Sequence, residues 1–343
     1  MNHKKTLYFL TGAGILTLIT LIIIYRNLFG INITLNKNNQ IIYLPTGSSY
    51  EQVMDTLESK LIIKNRKVLD MIARKKNYPA LIKPGRYVID KGLSYNSLIN
   101  ILRSGRQSPV NITYSNVNTL YEIAGKIGMI LESDSSHIIG FFSNESNFSG
   151  DGFNKENIIS LFIPNTYEFY WNTDAMGLYT RMLKEYRLFW NDKRLSKAKE
   201  KGLDPKEVST LASIIDDEAA QPVEKPRIAG VYLNRIRMGI PLQADPTIKF
   251  ALNDNSITRI LKKDLLVDSP YNTYRHPGLP PGPIGCATID GIDAVLNAEK
   301  HDYLFFAAKS DFSGFHNFSK TLYEHNKYAR LYQKELNKRR IFK

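Results

Sequence analysis

One carboxylate in this chain has the surroundings that acid–base chemistry requires. Glu218 follows Leu211 by seven residues and Ile214 by four, so in a helix the three side chains share one face. A carboxylate on an apolar face is partly withdrawn from water, which raises its pKa and keeps it protonated near neutral pH. Such a group can donate a proton to a leaving oxygen, as the buried glutamate of lysozyme does.

A structural interpretation of Glu218 stands beside the catalytic one. The residue also lies near the end of the predicted helix, from which its side chain can turn outward and pair with Lys225 or Arg227. Structural ion pairs perturb carboxylates as catalytic sites do, so the spacing alone leaves both interpretations open.

The helix that must position Glu218 has a clear beginning. Asp204 and Pro205, with Glu207 two residues further on, are typical of a helix start, because Asp caps the first turn and Pro fits it. The buried stripe that follows consists of Val208, Leu211, Ile214 and Ile215. The spacing therefore predicts a helix that starts at Asp204 and carries Glu218 on its apolar side.

Polar loops follow that helix. A second helix face carries Ile228, Val231, Tyr232 and Arg235, and polar groups then concentrate in residues 243–247, 271–274, 276–283 and 316–319, with Asn326 beyond them. Four prolines and two glycines within residues 277–283 make that loop stiff. Stiff walls with Tyr, Asn and Gln suit a sugar polymer, which offers hydroxyls and flat faces. Each of these loops, taken alone, can also be explained as a structural turn. This explanation is weaker when several polar loops occur together.

Other chemistries find no support in the sequence. The six histidines form no HExxH motif or close cluster, and the single cysteine, Cys286, excludes a disulfide framework and a Cys-rich zinc site. No phosphate-binding or dinucleotide-binding glycine motif and no GxSxG appears. We therefore predict no metal and no cofactor. The net charge of +13 does not choose among nucleic acid, anionic lipid and an acidic polymer; we predict no nucleic-acid partner.

The N-terminal segment predicts a membrane anchor. Residues 6–25 carry no charge, and about 20 apolar residues in a helix span a hydrocarbon core of about 30 Å. A cleaved signal peptide is the alternative, but no small-x-small cleavage site follows. Lys4 and Lys5 before the segment favour a cytoplasmic N-terminus. We expect a single-pass protein of the cell (inner) membrane whose catalytic domain lies outside the cytoplasm.

The whole chain is predicted to be α+β. With 343 residues, 43% of them apolar and 23% charged, it is long enough for about two folded domains. We divide it into a cytoplasmic N-terminus (1–5), a transmembrane helix (6–25), a small module (40–105), a connecting region that starts the catalytic domain (106–200) and the catalytic core (201–343). The module alternates strand, helix, strand and helix, whereas residues 133–155, rich in Ser, Asn, Asp and Gly, are predicted as a loop.

Ordered motifs in the second half identify a family. They are LASIIDDE (211–218), AGVYLNR (229–235), LQADPT (242–247), YNTY (271–274), GLPPGPI (278–284), HNFS (316–319) and EHN (324–326), with SLFIPNTY (160–167) upstream. In this order they resemble the endolytic murein transglycosylases of the YceG-like (MltG) family. The residue 40–105 module resembles the LysM-like subdomain of that family more weakly.

The resemblance implies an activity and a site. It implies a peptidoglycan lytic transglycosylase, a lyase that cleaves the β-1,4 bond between N-acetylmuramic acid and N-acetylglucosamine and leaves a 1,6-anhydro end. The catalytic glutamate of the family falls on Glu218. Motif positions imply substrate-binding roles for Asn234, Gln243, Asp245, Tyr271, Asn272, Tyr274, His316 and Ser319. The expected partners are peptidoglycan glycan strands, whose elongation the enzyme terminates, the membrane, and peptidoglycan synthases of elongation or division.

The sequence departs from the family at two places. Asp216 stands where Glu is common, and Asp217 stands where the family has Lys. Asp217 thus adds a negative charge beside Glu218, which should raise the pKa of Glu218 further if the two lie close together. Residues 111–115 also lack the usual Pro-Glu-Gly of the linker.

Two further function classes remain open at this stage. A hydrolase needs a second carboxylate, and a lysozyme-like mechanism would use Glu218 with Asp245. A transglycosylase needs only one, because the C6 hydroxyl of the substrate attacks the anomeric carbon. The third class is a membrane-anchored scaffold that binds peptidoglycan without cleaving it.

Overall fold

A computed structural model describes residues 2–35, 37–115, 117–254, 257 and 260–339, excluding the side chains of residues 2–7, 24 and 27. The described chain is a mixture of helices and short strands, which confirms the predicted α+β class. The helices are α1 (Asn2–Phe29), α2 (Tyr50–Lys60), α3 (Arg66–Lys75), α4 (Tyr95–Ser104), α5 (Leu120–Gly128), α6 (Ser135–Ser143), α7 (Ala175–Phe189), α8 (Asp192–Glu200), α9 (Pro205–Glu218), α10 (Lys225–Arg237), α11 (Asp245–Leu252), α12 (Ile289–Leu296) and α13 (Leu322–Lys338).

The strands pair two by two. They are β1 (Ile33–Thr34), β2 (Asn39–Leu44), β3 (Ile62–Ile63), β4 (Gly85–Asp90), β5 (Val110–Tyr114), β6 (Asn165–Phe169), β7 (Phe305–Ala308) and β8 (His316–Ser319). Within the described residues the pairs are β1–β3, β2–β4, β5–β6 and β7–β8. The fold therefore relies on helix packing around small ribbons and not on a large sheet.

The chain divides into two units. The first comprises residues 1–112, 130–133 and 168–174, and the second comprises residues 113–129, 134–167 and 175–343. Each unit has a cluster of buried apolar side chains of its own.

The first unit contains the module predicted at residues 40–105. Strands β2 and β4 are antiparallel, with Ile42 opposite Tyr87. Helix α2 starts with a capping box, in which the Ser49 hydroxyl accepts from the Gln52 amide. Fully buried Leu57 of α2 and Leu98 of α4 belong to the core. The predicted order of strand, helix, strand and helix is confirmed, with the short strand β3 and helix α3 as additional elements between α2 and β4.

Helix α1 includes the residues predicted to span a membrane. Over the part of the chain that the structure describes, no helix is both long enough and apolar enough to cross a bilayer. The structure therefore does not support the transmembrane helix predicted over residues 6–25.

The second unit is built around α9. Asp204 caps this helix by accepting hydrogen bonds from the amides of Lys206 and Glu207, and the Glu207 side chain accepts from the Asp204 amide in return. The predicted helix start is thus confirmed. Helix α9 packs against α10, α11 and α12, and its stripe of Val208, Leu211, Ile214 and Ile215 is fully buried.

Candidate active site

Glu218 is the last residue of α9 and continues its buried face into a cavity. The cavity has a volume of about 330 Å³. Its walls come from α9, α10, β7, α13, the start of α11 with the segment that leads into it, and the loop that carries Tyr274. The lining residues are Glu218, Tyr232, Arg235, Leu242, Gln243, Asp245, Tyr274, Phe305, Phe306, Leu322 and His325.

The carboxyl of Glu218 is an unusually weak acid for this residue type. Burial, followed by the negative charge of Asp245, raises its pKa from 4.5 to about 7. The Tyr232 hydroxyl donates a hydrogen bond of 3.2 Å to Glu218 Oε1, which opposes this rise by stabilising the carboxylate. Asp217 contributes a smaller increase, as its position in the sequence predicted. At neutral pH Glu218 is therefore divided between its acid and its base form.

The cations that were candidate partners of Glu218 bind elsewhere. Lys225 lies 2.7 Å from Asp216 in a pair whose side chains are 10% and 12% exposed, and Arg227 lies 2.8 Å from Glu299. The structural interpretation of Glu218 as the partner of Lys225 or Arg227 is thus wrong. Glu218 is left to face the cavity.

Asp216 fastens the end of α9. Its carboxylate accepts from the Lys225 ammonium at the start of α10, and from the amide and hydroxyl of Thr288 at the start of α12, at 2.7 and 2.9 Å. A Cβ on Gly291 would lie 2.4 Å from Asp216 Oδ1, so only glycine allows α12 to approach this closely. The helix end that carries Glu218 is therefore fixed to two neighbouring helices.

Three of the predicted binding residues meet Glu218 in the cavity: Gln243, Asp245 and Tyr274. The Tyr274 hydroxyl donates to Asp245 Oδ1 at 2.5 Å, which fixes the second carboxylate of the site. Gln243 has a left-handed backbone conformation (φ of 54°), and its backbone N–H donates to the Thr273 carbonyl at 3.0 Å. Two loops that are distant in sequence are thereby joined beside Glu218.

The other five predicted binding residues do not line this cavity. Asn234 donates to the carbonyls of His301 and Tyr303, and buried Asn272 donates to those of Leu265 and Val267. The ring centres of Tyr271 and Phe250 lie 4.6 Å apart. His316 Nδ1 lies 2.9 Å from Glu224 Oε2, and Ser319 is 2% exposed. Their substrate-binding roles stay predictions, since the contacts described here are internal to the protein.

Sequence reasoning did not assign a role to several cavity residues. Tyr232 and Arg235 share a face of α10, as their spacing predicted, but the sequence did not indicate that this face meets Glu218. Phe305, Phe306 and His325 come from β7 and α13, about 90 to 110 residues after Glu218, and no spacing connects them with it. In the described residues, no group of three His, Cys, Asp or Glu side chains is arranged to hold a metal ion.

Fold and site together define an α+β protein in which a carboxyl with a raised pKa at a helix end faces a cavity that also contains a second carboxylate. The chain belongs to the YceG-like family, whose sequence model matches residues 42–331.

Individual relatives agree with this assignment. The chain is 31% identical over 320 residues to an endolytic murein transglycosylase of Bacillus subtilis, which covers 89% of this chain and 88% of the relative. A Streptococcus pneumoniae protein of the same name is 29% identical over 307 residues, and this chain spans only 55% of its length. A crystal structure of a putative YceG-like protein from Listeria monocytogenes superposes with a TM-score of 0.55 at 28% identity, covering 85% of this chain and 99% of that one.

Proposed function

We propose that this protein is an endolytic murein transglycosylase, which cuts peptidoglycan glycan strands and leaves 1,6-anhydro-N-acetylmuramic acid ends. The observation that carries the proposal is the Glu218 carboxyl, whose pKa is raised to about 7 in an open cavity. A group that must first give a proton and then take one works best when its pKa lies near the working pH. The name of the Bacillus subtilis relative supports the same activity.

The reaction needs one acid–base group and no water. Protonated Glu218 donates its proton to the glycosidic oxygen, the bond from that oxygen to C1 of N-acetylmuramic acid breaks, and N-acetylglucosamine leaves with a free 4-hydroxyl. Positive charge develops at C1 and the ring oxygen. The Glu218 carboxylate then removes the proton from the C6 hydroxyl of the same sugar, and that oxygen bonds to C1. The acid form is regenerated, so atoms and charges balance.

The surrounding groups suit these steps. The Tyr232 hydroxyl donates to Glu218 Oε1, so it stabilises the carboxylate that exists between the two proton transfers. Burial and the charge of Glu218 raise the pKa of Tyr232, which keeps its hydroxyl a donor. The negative charge of Asp245 in the same cavity can stabilise the positive charge that develops on the sugar.

A hydrolase is the second candidate, and Asp245 is the observation that favours it. Glycosidases that consume water use a second carboxylate as base or nucleophile, and Asp245 lines the cavity with Glu218. The Tyr274 hydroxyl occupies Asp245 Oδ1, which leaves one carboxylate oxygen for that role.

Mass spectrometry of glycan fragments distinguishes the classes. Purified peptidoglycan strands are incubated with the wild-type chain and with Glu218→Gln. A transglycosylase gives ends that are lighter by one water than the reducing ends of a hydrolase. We expect anhydro ends with the wild type and none with Glu218→Gln. Reducing ends would establish the hydrolase, and binding to strands without any new ends would establish a scaffold.

We further propose that α1 anchors the enzyme in the cell membrane, with the N-terminus in the cytoplasm. The support is the uncharged sequence of residues 6–25 and the exposure of its apolar side chains, which is 62% at Leu10, 67% at Leu16 and 50% at Ile22. Burying such side chains in lipid is favourable. The LysM-like nature of residues 40–105, termination of nascent strands and association with peptidoglycan synthases belong to the same proposal and rest on family resemblance.

Membrane fractionation tests the anchor. The full chain should sediment with membranes in high salt, and a variant without residues 1–30 should not. A reporter fused after Lys343 should be active only outside the cytoplasm. A truncated variant that still sediments with membranes in high salt would contradict the single anchor.

A further inference from the structure

The cavity of Glu218 is lined by the guanidinium group of Arg235, which backbone carbonyl oxygens hold in place. Arg235 is 6% exposed, and its Nε donates to the Leu304 carbonyl at 2.6 Å. Its Nη1 donates to the carbonyls of Pro241 and Leu242, at 3.0 and 2.7 Å, and to Gln243 Oε1 at 3.3 Å. Across the described ranges Nη2 has no hydrogen-bond acceptor, although Arg235 lines the cavity. The two N–H bonds of Nη2 are therefore available to a ligand.

One side of the cavity beside this donor is apolar. The guanidinium carbon lies 4.9 Å from the ring centre of Phe305, and Phe306 and Leu322 line the same cavity. The His325 ring lies 5.4 Å from that of Phe305. Burial and the Arg235 charge lower the pKa of His325, so this ring is neutral at neutral pH. The wall thus combines a single strong donor with a surface suited to a methyl group.

These features select among the groups that a sugar presents. An acetamido group has a carbonyl oxygen, which a guanidinium N–H binds, and a methyl group, which an apolar wall covers. A hydroxyl would leave the wall unfilled. A carboxylate would meet the negative charge of Asp245 in the same cavity.

We propose that Arg235, with the wall of Phe305, Phe306 and Leu322, forms a specificity site for the acetamido group of an amino sugar. This inference rests on the proposed function, because it names the substituent by which the enzyme recognises its glycan. Arg235 acts in binding and Glu218 in proton transfer. The site makes N-acetylation of the strand a requirement for tight binding.

Two tetrasaccharides test the site without any cleavage. The β-1,4-linked tetramer of N-acetylglucosamine and cellotetraose are both neutral, and they differ only in carrying an acetamido or a hydroxyl group at C2. Their affinities are measured by calorimetry on the full chain with Glu218→Gln. A hydrogen bond to a charged group and a buried methyl predict that the acetylated tetramer binds at least about tenfold more tightly. Equal affinity, or binding of neither sugar, would overturn the proposal.

Matched variants locate the preference. Arg235→Lys should weaken binding of the acetylated tetramer about tenfold and leave cellotetraose unchanged, whereas Arg227→Lys on the same helix should alter neither. Because Arg235 also holds carbonyls, Leu322→Gln is the second variant and should reduce the preference a few-fold. Leu331→Gln, which is exposed on the same helix and outside the cavity, is its control. A preference that survives both Arg235→Lys and Leu322→Gln would refute the assignment.

The specificity site and the proposed function fail separately. If wild-type protein releases anhydro ends while the two tetramers bind equally, only the specificity site is wrong. If the preference is found and no anhydro ends are formed, the transglycosylase is wrong and an amino-sugar binding site stands.

Discussion

In the proposed mechanism, the side chain of Glu218 combines two roles that most glycosidases divide between two carboxylates. Its acid form is favoured in the folded protein, because burial and Asp245 raise the pKa to about 7. The same pKa allows the carboxylate to exist between the two proton transfers. A single protein carboxylate is therefore sufficient when the nucleophile, the C6 hydroxyl, belongs to the substrate.

The raised pKa of Glu218 predicts how stability depends on pH. The stability that its acid form contributes is complete below the unfolded pKa of 4.5 and is lost as pH rises through about 7. Glu218→Gln keeps a neutral group that can accept from Tyr232. It should therefore be more stable than wild type at pH 8, by at most about 3 kcal/mol, and nearly equal at pH 4.5. Thermal unfolding at both values measures this, and a destabilised variant at pH 8 would contradict the raised pKa.

Activity should be lost with the same substitution. Positioned acid–base groups contribute about 10²–10⁴-fold, and the proposed mechanism uses Glu218 in both half-reactions, so Glu218→Gln should lower the cleavage rate by at least about 10⁴-fold. Circular dichroism should show an unchanged fold. Release of anhydro ends at a rate near that of wild type would remove Glu218 from the mechanism.

Asp245 should set the pH range of the enzyme. Its charge is the second cause of the raised pKa of Glu218, so Asp245→Asn should lower that pKa and move the alkaline limb of kcat/KM to lower pH. Asp55→Asn, an exposed position in the first unit, is the control and should leave the profile unchanged. An alkaline limb that stays in place in Asp245→Asn would show that Asp245 does not act on Glu218.

At the scale of elements, the contacts of Asp216 at the junction of α9, α10 and α12 hold Glu218 in position. Asp216 binds Lys225 and Thr288 with a side chain that is 12% exposed. Removing one partner of a buried ion pair costs about 3–5 kcal/mol, because it leaves the other charge uncompensated. Asp216→Asn should therefore destabilise the second unit by roughly this amount in chemical denaturation, whereas Asp217→Asn, at an exposed position, should change stability by under about 0.5 kcal/mol. Equal effects would contradict the fastening role.

Elements were predictable where a local signal specified them. The start of α9 followed from Asp204, Pro205 and Glu207, since capping depends on residues a few positions apart. Residues 133–155 were predicted as a loop, but they contain α6, which Asp134 caps and in which Ile138 and Phe142 are buried one turn apart. The Ser, Asn and Asp residues that suggested a loop are also the residues that cap helices, so composition was misleading there.

The binding residues were predictable only in part, because direction depends on tertiary packing. Gln243, Asp245 and Tyr274 reach the cavity, whereas Asn272 lies in the same loop as Tyr274 and turns its amide toward the carbonyls of Leu265 and Val267. No local pattern in the sequence shows which side chain of this loop reaches the cavity and which one binds backbone carbonyls. Phe305 and His325 join the site through β7 and α13, and such long-range packing leaves no period in the sequence.

At the scale of the whole molecule, the two units have separate apolar cores, and the candidate active site lies in the second. Leu98 and Leu211 are both fully buried, one in each core. Either Leu→Ala should cost about 2–5 kcal/mol. We expect Leu98→Ala to lower the unfolding temperature of the first unit and to preserve cleavage of short soluble glycans, and Leu211→Ala to impair both stability and cleavage. Loss of cleavage in Leu98→Ala at a temperature at which it remains folded would show that the first unit takes part in catalysis.

The position of Glu218 as the last residue of α9 has a further electrostatic consequence. The peptide dipoles of a helix add up to partial negative charge at its C-terminal end, which disfavours a carboxylate there by about 0.3–1 kcal/mol. This contribution belongs to the backbone and not to any neighbouring side chain. A chain in which both Asp217 and Asp245 were replaced by neutral residues would still hold Glu218 at the negative end of the helix dipole. Part of the rise in its pKa is thus built into the end of α9 itself, in addition to the larger effect of burial, and outlasts changes in the loops around it.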